Sequence, residues 1–145
     1  MIMLDHAHTI NATKSILKFI KKFNKGRIIT VVGCAGNRYK NKRHLIGKIV
    51  NKYSDIIIYT EDDPRWENVE DIILEMKNFF GKKNEYYEII NRDLAIEKAI
   101  SIAKKDDIIL ILGRGRDEIM HLKDKDIIFN DYDVVMQKLK KYKYQ

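Results

Sequence analysis

The segment TEDDPRWEN, Thr60 to Asn68, sets Asp62 and Asp63 beside Arg65, with the chain's single proline, Pro64, between them. Carboxylates can receive an ammonium group, a guanidinium grips a carboxylate through two parallel hydrogen bonds, and proline fixes the local backbone dihedral. Together they are complementary to a zwitterion, which points to an amino acid as ligand. A second stretch, GCAGNRYKNKR, carries Gly33 and Gly36, which turn the backbone tightly and expose amide N–H groups able to receive an anion at a helix N-terminus. Arg38 is the residue there that a plain turn explains least. A third stretch, GRGRDE, repeats the theme: Gly113 and Gly115 allow close backbone approach, and Asp117 or Glu118 offers another carboxylate. An amino acid with an additional amine at its far end would need one. Taken singly, each stretch also reads as an ordinary capping turn with solvated charges.

Other chemistries are less well supplied. The G-x-x-x-x-G-K-[ST] phosphate cradle is absent, and the glycine spacing misses the dinucleotide fingerprint. His6 and His8 stand near Asp5, but a metal needs three or four convergent ligands, and Cys34 and His44 are distant helpers. No metal site is assigned. Cys34 has no assignable base, which argues against a nucleophilic role. Trp66 and the terminal tyrosines read as packing or rim residues rather than stacking platforms.

Lysine plus arginine outnumber aspartate plus glutamate, 28 to 21, a formal charge of +7. The excess is spread over KFIKKFNKGR, YKNKR, GKKN and KLKKYKY, so a solvated surface is favoured over a nucleic-acid site. No apolar run is long enough to span a membrane, and a single cysteine fits a reducing compartment. A cytoplasmic location is the expectation. The length of 145 residues is that of one domain.

These loops need elements to hold them. Residues 11–23 place Ala12, Ile16, Ile20 and Phe23 on one helical stripe, with Gly26 as a stop. RIITVVG reads as a buried strand. NKRHLIGKIVNKY forms a helix with Leu45, Ile46, Ile49, Val50 and Tyr53 inward, and DIIIYT is the next strand. NVEDIILEMKNFF presents Val69, Ile72, Ile73, Met76 and Phe80 as a third helix before the strand YYEII. Residues 92–104, with Leu94, Ala95, Ala99 and Ile102, form a fourth helix before the strand DDIILILG. A hairpin over HLKDKDIIF and a last helix capped by Asn130 or Asp131 complete the chain. Strands in continuous apolar runs alternating with helices predict an α/β, Rossmann-like, open and mostly parallel sheet with helices on both faces. In such sheets ligands sit beyond the carboxyl ends of the strands, which is where all three charged loops fall.

In order, DHAHT, GCAGNRYKNKR, TEDDPR and GRGRDE resemble the motifs of the Mur ligase C-terminal domain, specifically the MurE type, over nearly the whole of residues 1–145. The resemblance implies the amino-acid and nucleotide-binding domain of an ATP-dependent amide ligase of peptidoglycan synthesis. Such ligases add the third residue, meso-diaminopimelate or L-lysine, to the UDP-MurNAc-dipeptide. Carried over, Arg38 matches the arginine that holds a carboxylate of the incoming amino acid, and Asp62, Asp63, Pro64 and Arg65 match the D-N-P-R recognition motif. Gly113 and Asp117 match the first glycine and the glutamate of the G-K-G-H-E loop. Asp5 and His8 match the D-Y-A-H-T segment on the nucleotide side, and Lys42 and Arg43 match the basic pair after the glycine turn.

This sequence departs from the pattern at Asn37 for aspartate, Asp63 for asparagine, Asp117 for glutamate, and His6 and Ile10 for Tyr and Pro. An extra negative charge at Asp63 could favour an amine over a second carboxylate, which keeps lysine in play. The resemblance also implies ATP and Mg²⁺ as cofactors of the full enzyme, together with UDP-sugar and P-loop domains that this sequence lacks. Missing domains on another chain are therefore expected partners, and the chain alone is not expected to turn over. The alternatives are a stand-alone amino-acid or nucleotide-binding module without catalysis, and a degenerate ligase remnant.

Overall fold

The structure is a computed structural model that describes residues 1–143; Tyr144, one of the terminal tyrosines, lies outside the described residues. The elements are β1 Ile2–Asp5, α1 Ile10–Phe23, β2 Ile28–Val32, a 3-10 turn Lys40–Lys42, α2 Arg43–Tyr53, β3 Ile56–Tyr59 and α3 Val69–Met76. They continue with β4 Glu85–Glu88, α4 Arg92–Ile102, β5 Ile108–Leu112, β6 Ile119–His121, β7 Asp126–Ile128 and α5 Asp131–Lys143. Five strands form one sheet in the order β1-β5-β2-β3-β4, and β6 with β7 form a separate pair. Every pairing in the large sheet is parallel, and the small pair is antiparallel.

The apolar runs are continuous because both faces of the central strands are covered. In β2, Ile28 and Val32 join Leu17 and Ile20 of α1, Ile46 and Val50 of α2 and Met76 of α3 in one cluster. Ile29 and Val31, pointing the other way, join Ala95 and Ala99 of α4 and Val134 of α5. The open parallel sheet with helices on both faces is thus present as expected. Side-chain caps begin α1, α3, α4 and α5: Thr9 accepts from the Ala12 N–H, Asn68 from Glu70, Asn91 from Leu94 and Asn130 from Asp133, whereas α2 follows the 3-10 turn without one.

Four local readings need correction. β1 was not anticipated, because it is four residues long, half-buried and paired only with β5 at an edge of the sheet, so it lacks the long apolar run of the central strands. α3 stops at Met76 rather than running to Phe80, which is fully exposed beyond it. Leu45 and Leu94, assigned to inward faces, are exposed at 39% and 54%, and the buried face of α1 is Thr13, Leu17 and Ile20, which leaves Ala12 and Phe23 of the expected stripe exposed. Helix period marks a stripe, but the stripe's margin is set by how far the neighbouring element reaches.

Candidate functional site: a charged pocket at the carboxyl edge of the sheet

Since β1, β5, β2 and β3 are neighbours and parallel, the loops after them converge at one edge. Between them lies a cavity of about 450 Å³. Arg38, Asp62, Asp63, Arg65, Gly113 and Asp117 all line it, so six residues drawn from three separate sequence motifs meet in one place.

Two glycines set the spacing of these loops. The Gly36 N–H donates to the Asp63 carbonyl at 2.9 Å, and a Cβ on Gly36 would lie 1.7 Å from the Pro64 carbonyl oxygen. No other residue fits there without moving the DDPR loop. Gly113 has φ +109, and a Cβ there would lie 2.4 Å from Asp62 Oδ2; both the left-handed backbone and the contact call for glycine. Pro64 therefore acts as backing for the glycine loop and does not line the cavity.

Within the DDPR loop, Asp63 and Arg65 adopt φ of 42° and 51°, a region uncommon for residues other than glycine, asparagine and aspartate. The β6 end holds them there. The Arg65 N–H donates to the His121 carbonyl at 3.0 Å, and the His121 N–H donates to Asp63 Oδ1 at 3.0 Å. The hairpin expected from the sequence is present, and its place as a clamp on the recognition loop is new.

Arg114 was not singled out in the sequence and changes the reading of the acids. Its side chain is fully buried. One terminal nitrogen donates to Asp63 Oδ1 at 2.8 Å and Asp62 Oδ1 at 3.2 Å, and the other donates to the Ile119 carbonyl at 2.6 Å. The carboxylates expected to receive a ligand's ammonium therefore already face a cation of the protein. Burial pushes the Asp62 carboxyl above its ordinary value, against the pull of Arg92 and Arg114. Only a charge pattern across two loops could have pointed to Arg114, since nothing adjacent to it in sequence does.

Asp117 stands apart from that cluster: its side chain is about half exposed, 3.9 Å from His6 Nδ1. His6 Nδ1 lies 3.1 Å from the Arg114 carbonyl, an acceptor, so Nδ1 is the donor there. Cys34 lines the cavity, but burial pushes its thiol up to about 12, so it is un-ionised at neutral pH.

The residues expected on the nucleotide side divide. His8 and Lys42 line the cavity, with Lys42 Nζ donating to the His8 carbonyl at 3.2 Å. Asp5 lies outside the lining; its Oδ1 accepts from the Ala7 N–H at 2.7 Å and turns the chain after β1. Arg43, expected beside a nucleotide, is instead buried and committed to the protein. Its guanidinium pairs with Glu67, with Glu75 at 2.9 Å and with the Ala35 carbonyl at 3.0 Å. It stitches the glycine loop to the segment after DDPR, with Glu67 as the second residue the sequence did not reveal. Among the described residues no three His, Cys, Asp or Glu side chains converge to hold a metal ion.

A family model described as Mur ligase, glutamate ligase domain, matches residues 1–115. The chain belongs to the Mur ligase family. Among curated relatives, the UDP-N-acetylmuramoyl-L-alanyl-D-glutamate--2,6-diaminopimelate ligase 1 of Clostridium acetobutylicum is 43% identical over 140 residues, covering 96% of this chain and 29% of that protein. The corresponding ligase of Clostridioides difficile is 40% identical over 141 residues, covering 97% of this chain and 29% of that one. A solved structure of a ligase of the same name superposes with a TM-score of 0.94 at 28% identity, covering 99% of this chain and 30% of that chain. The Mur ligase domain seen here therefore resembles the MurE type, and it spans under a third of the length of the relatives it matches.

Proposed function

We propose that this domain supplies the amino-acid pocket, and one wall of the ATP cleft, of a cytoplasmic ligase that adds a diamino acid as third residue to the UDP-MurNAc-dipeptide. The observation that carries the reading is the state of the charges in the cavity. Arg38 and Arg65 both line it, and neither has a carboxylate partner among the described residues; Arg65 Nη1 reaches only the Gly36 and Asp63 carbonyls, at 3.3 and 3.5 Å. Asp117 is the acid left open. Two free guanidiniums and one free carboxylate match meso-diaminopimelate, with its two carboxylates, better than L-lysine, with one. The relatives' names specify 2,6-diaminopimelate, which supports the same choice.

In this reading Arg38 holds the carboxylate next to the reacting amine, Arg65 clamps the distal carboxylate, and Asp117 receives the distal ammonium. These contacts place the reacting amine, which must be uncharged to attack, in a fixed direction. The new C–N bond forms as the amine attacks an acyl phosphate and phosphate leaves. Mur ligases as a family use ATP and Mg²⁺ to make that acyl phosphate. No P-loop pattern occurs in this sequence, so the activating machinery and the UDP-sugar site come from sequence outside it, on the same or another chain. His8 and Lys42 are the residues open to a nucleotide here.

Calorimetric titration of the domain with meso-diaminopimelate, L-lysine and ornithine tests the reading. Saturable binding strongest for diaminopimelate is expected, weakened roughly 10- to 100-fold by Arg65→Ala, as loss of a charge-assisted pair implies. Equal or absent binding of the three, or binding untouched by Arg65→Ala, would overturn it.

A further inference from the structure

Arg114 is the most heavily committed side chain at the cavity. It is fully buried, shares Asp62 and Asp63, and lies over the Phe129 ring at 5.8 Å. Its Nε has no hydrogen-bond partner, the one such buried side-chain atom among the described residues. A fold needing only to fill this space would gain stability from an apolar side chain, since a buried ion pair rarely repays its desolvation and an unpaired N–H adds to the cost. The arrangement therefore calls for an explanation in function.

The explanation lies in what Arg114 does to Asp63. That carboxylate is on the cavity wall, on the same short loop as Arg65. Left uncompensated, it would repel a second carboxylate and attract an amine at the place where Arg65 is to act. With the Arg114 guanidinium at 2.8 Å and the His121 N–H at 3.0 Å on the same oxygen, Oδ1, its charge is drawn back into the protein. We propose that Arg114 is a positioning and specificity-determining residue, which neutralises Asp63 from beneath so that the pocket accepts a diamino acid bearing a second carboxylate in preference to one ending in an amine alone. This deepens the proposed function and rests on it. It also reverses the expectation that the acid at position 63 favours lysine.

The test is the ratio of affinities for meso-diaminopimelate and L-lysine, measured by calorimetry on this chain, for the wild type, Arg114→Met, Asp63→Asn and the double variant. Arg114→Met exposes the ligand to an uncompensated Asp63 and is expected to lower the ratio on the order of tenfold or more. Asp63→Asn removes that charge and raises the ratio; asparagine also accepts the φ of 42° at this position, so this variant folds even where Arg114→Met does not. The double variant returns the ratio toward the wild type, a rescue that a merely structural Arg114 would not give. An unchanged ratio in Arg114→Met overturns the inference, as does loss of lysine and diaminopimelate affinity together in Asp63→Asn, which would place Asp63 directly on the ligand's amine. Binding of neither ligand by the wild type overturns the proposed pocket itself, and this inference with it.

Discussion

Charge in this cavity is allotted by burial more than by residue type. Asp62 and Asp63 look like equals of Asp117 in the sequence, yet two are held by a fully buried arginine and one stands half exposed. Arg43 and Arg38 look like neighbours in a basic stretch, yet one is locked to Glu67 and Glu75 and the other is open. Six residues of the expected amino-acid side, with His8 and Lys42 of the expected nucleotide side, line the cavity; they were legible because glycines, a proline and clustered charges are local signals. Arg114 and Glu67 were not legible, since their roles depend on partners about 50 and 24 residues away, joined only by the fold. At Gly113 a close contact and a left-handed backbone act together. Gly113→Ala puts a methyl group 2.4 Å from Asp62 Oδ2 on a backbone at φ +109. It is expected to cost about 1–3 kcal/mol of stability and to weaken ligand binding, read by thermal unfolding and calorimetry on the same sample.

Between elements, a fully buried polar joint is the pair of Arg92, at the start of α4, with Asp131, at the start of α5. Both side chains are fully buried, at 2.8 Å, and Arg92 also donates to the carbonyl of Leu112 at the end of β5. It thus fixes two helices to the strand that leads into the Gly113 loop. Arg92→Met leaves Asp131 buried without its cation and is expected to cost about 3–5 kcal/mol in denaturant unfolding, whereas a paired apolar replacement of both residues recovers most of that loss. Asp107 lies just before β5, at the amino ends of the strands, opposite the cavity. Its carboxylate accepts from the Arg27 side chain, which holds its pKa down at about 2, helped by the backbone N–H groups of Lys104 and Arg27. A depressed folded-state value means that the stabilisation is complete above the ordinary carboxylate value of about 4 and is lost as the pH falls toward 2. Stability curves of wild type and Asp107→Asn should therefore lie apart at pH 7 and converge below pH 4. At this scale the sequence was a good guide to the central strands, whose apolar runs are buried on both faces, and a poor one to the edges. β1 is brief and half-buried, and β4, Glu85–Glu88, exposes most of its side chains, so neither carries a strong pattern.

For the molecule as a whole, the net charge of +7 is dispersed rather than gathered into one field. The cations that matter for the proposed ligand are the two arginines in the cavity, Arg38 and Arg65. Binding through them should fall only gently with salt, whereas a polyanion held by many lysines would lose on the order of a thousandfold between 50 and 200 mM. The fold class and family were legible because they depend on the order of elements and motifs, which the chain carries along its length. The distribution of charge inside the cavity was legible only in part, because it depends on which side chains the fold buries together. The most direct test of the central claim, that this cavity receives a diamino acid through Arg38 and Arg65, is a ¹H–¹⁵N spectrum of the domain titrated with meso-diaminopimelate, following backbone amides and arginine Nε–H signals. Progressive shifts at Gly113, Asp117 and the Nε–H groups of Arg38 and Arg65, with the far edge near Phe19 and Phe23 unmoved, are the predicted result. Shifts confined to that far edge, or none at the cavity at saturating ligand, would contradict it.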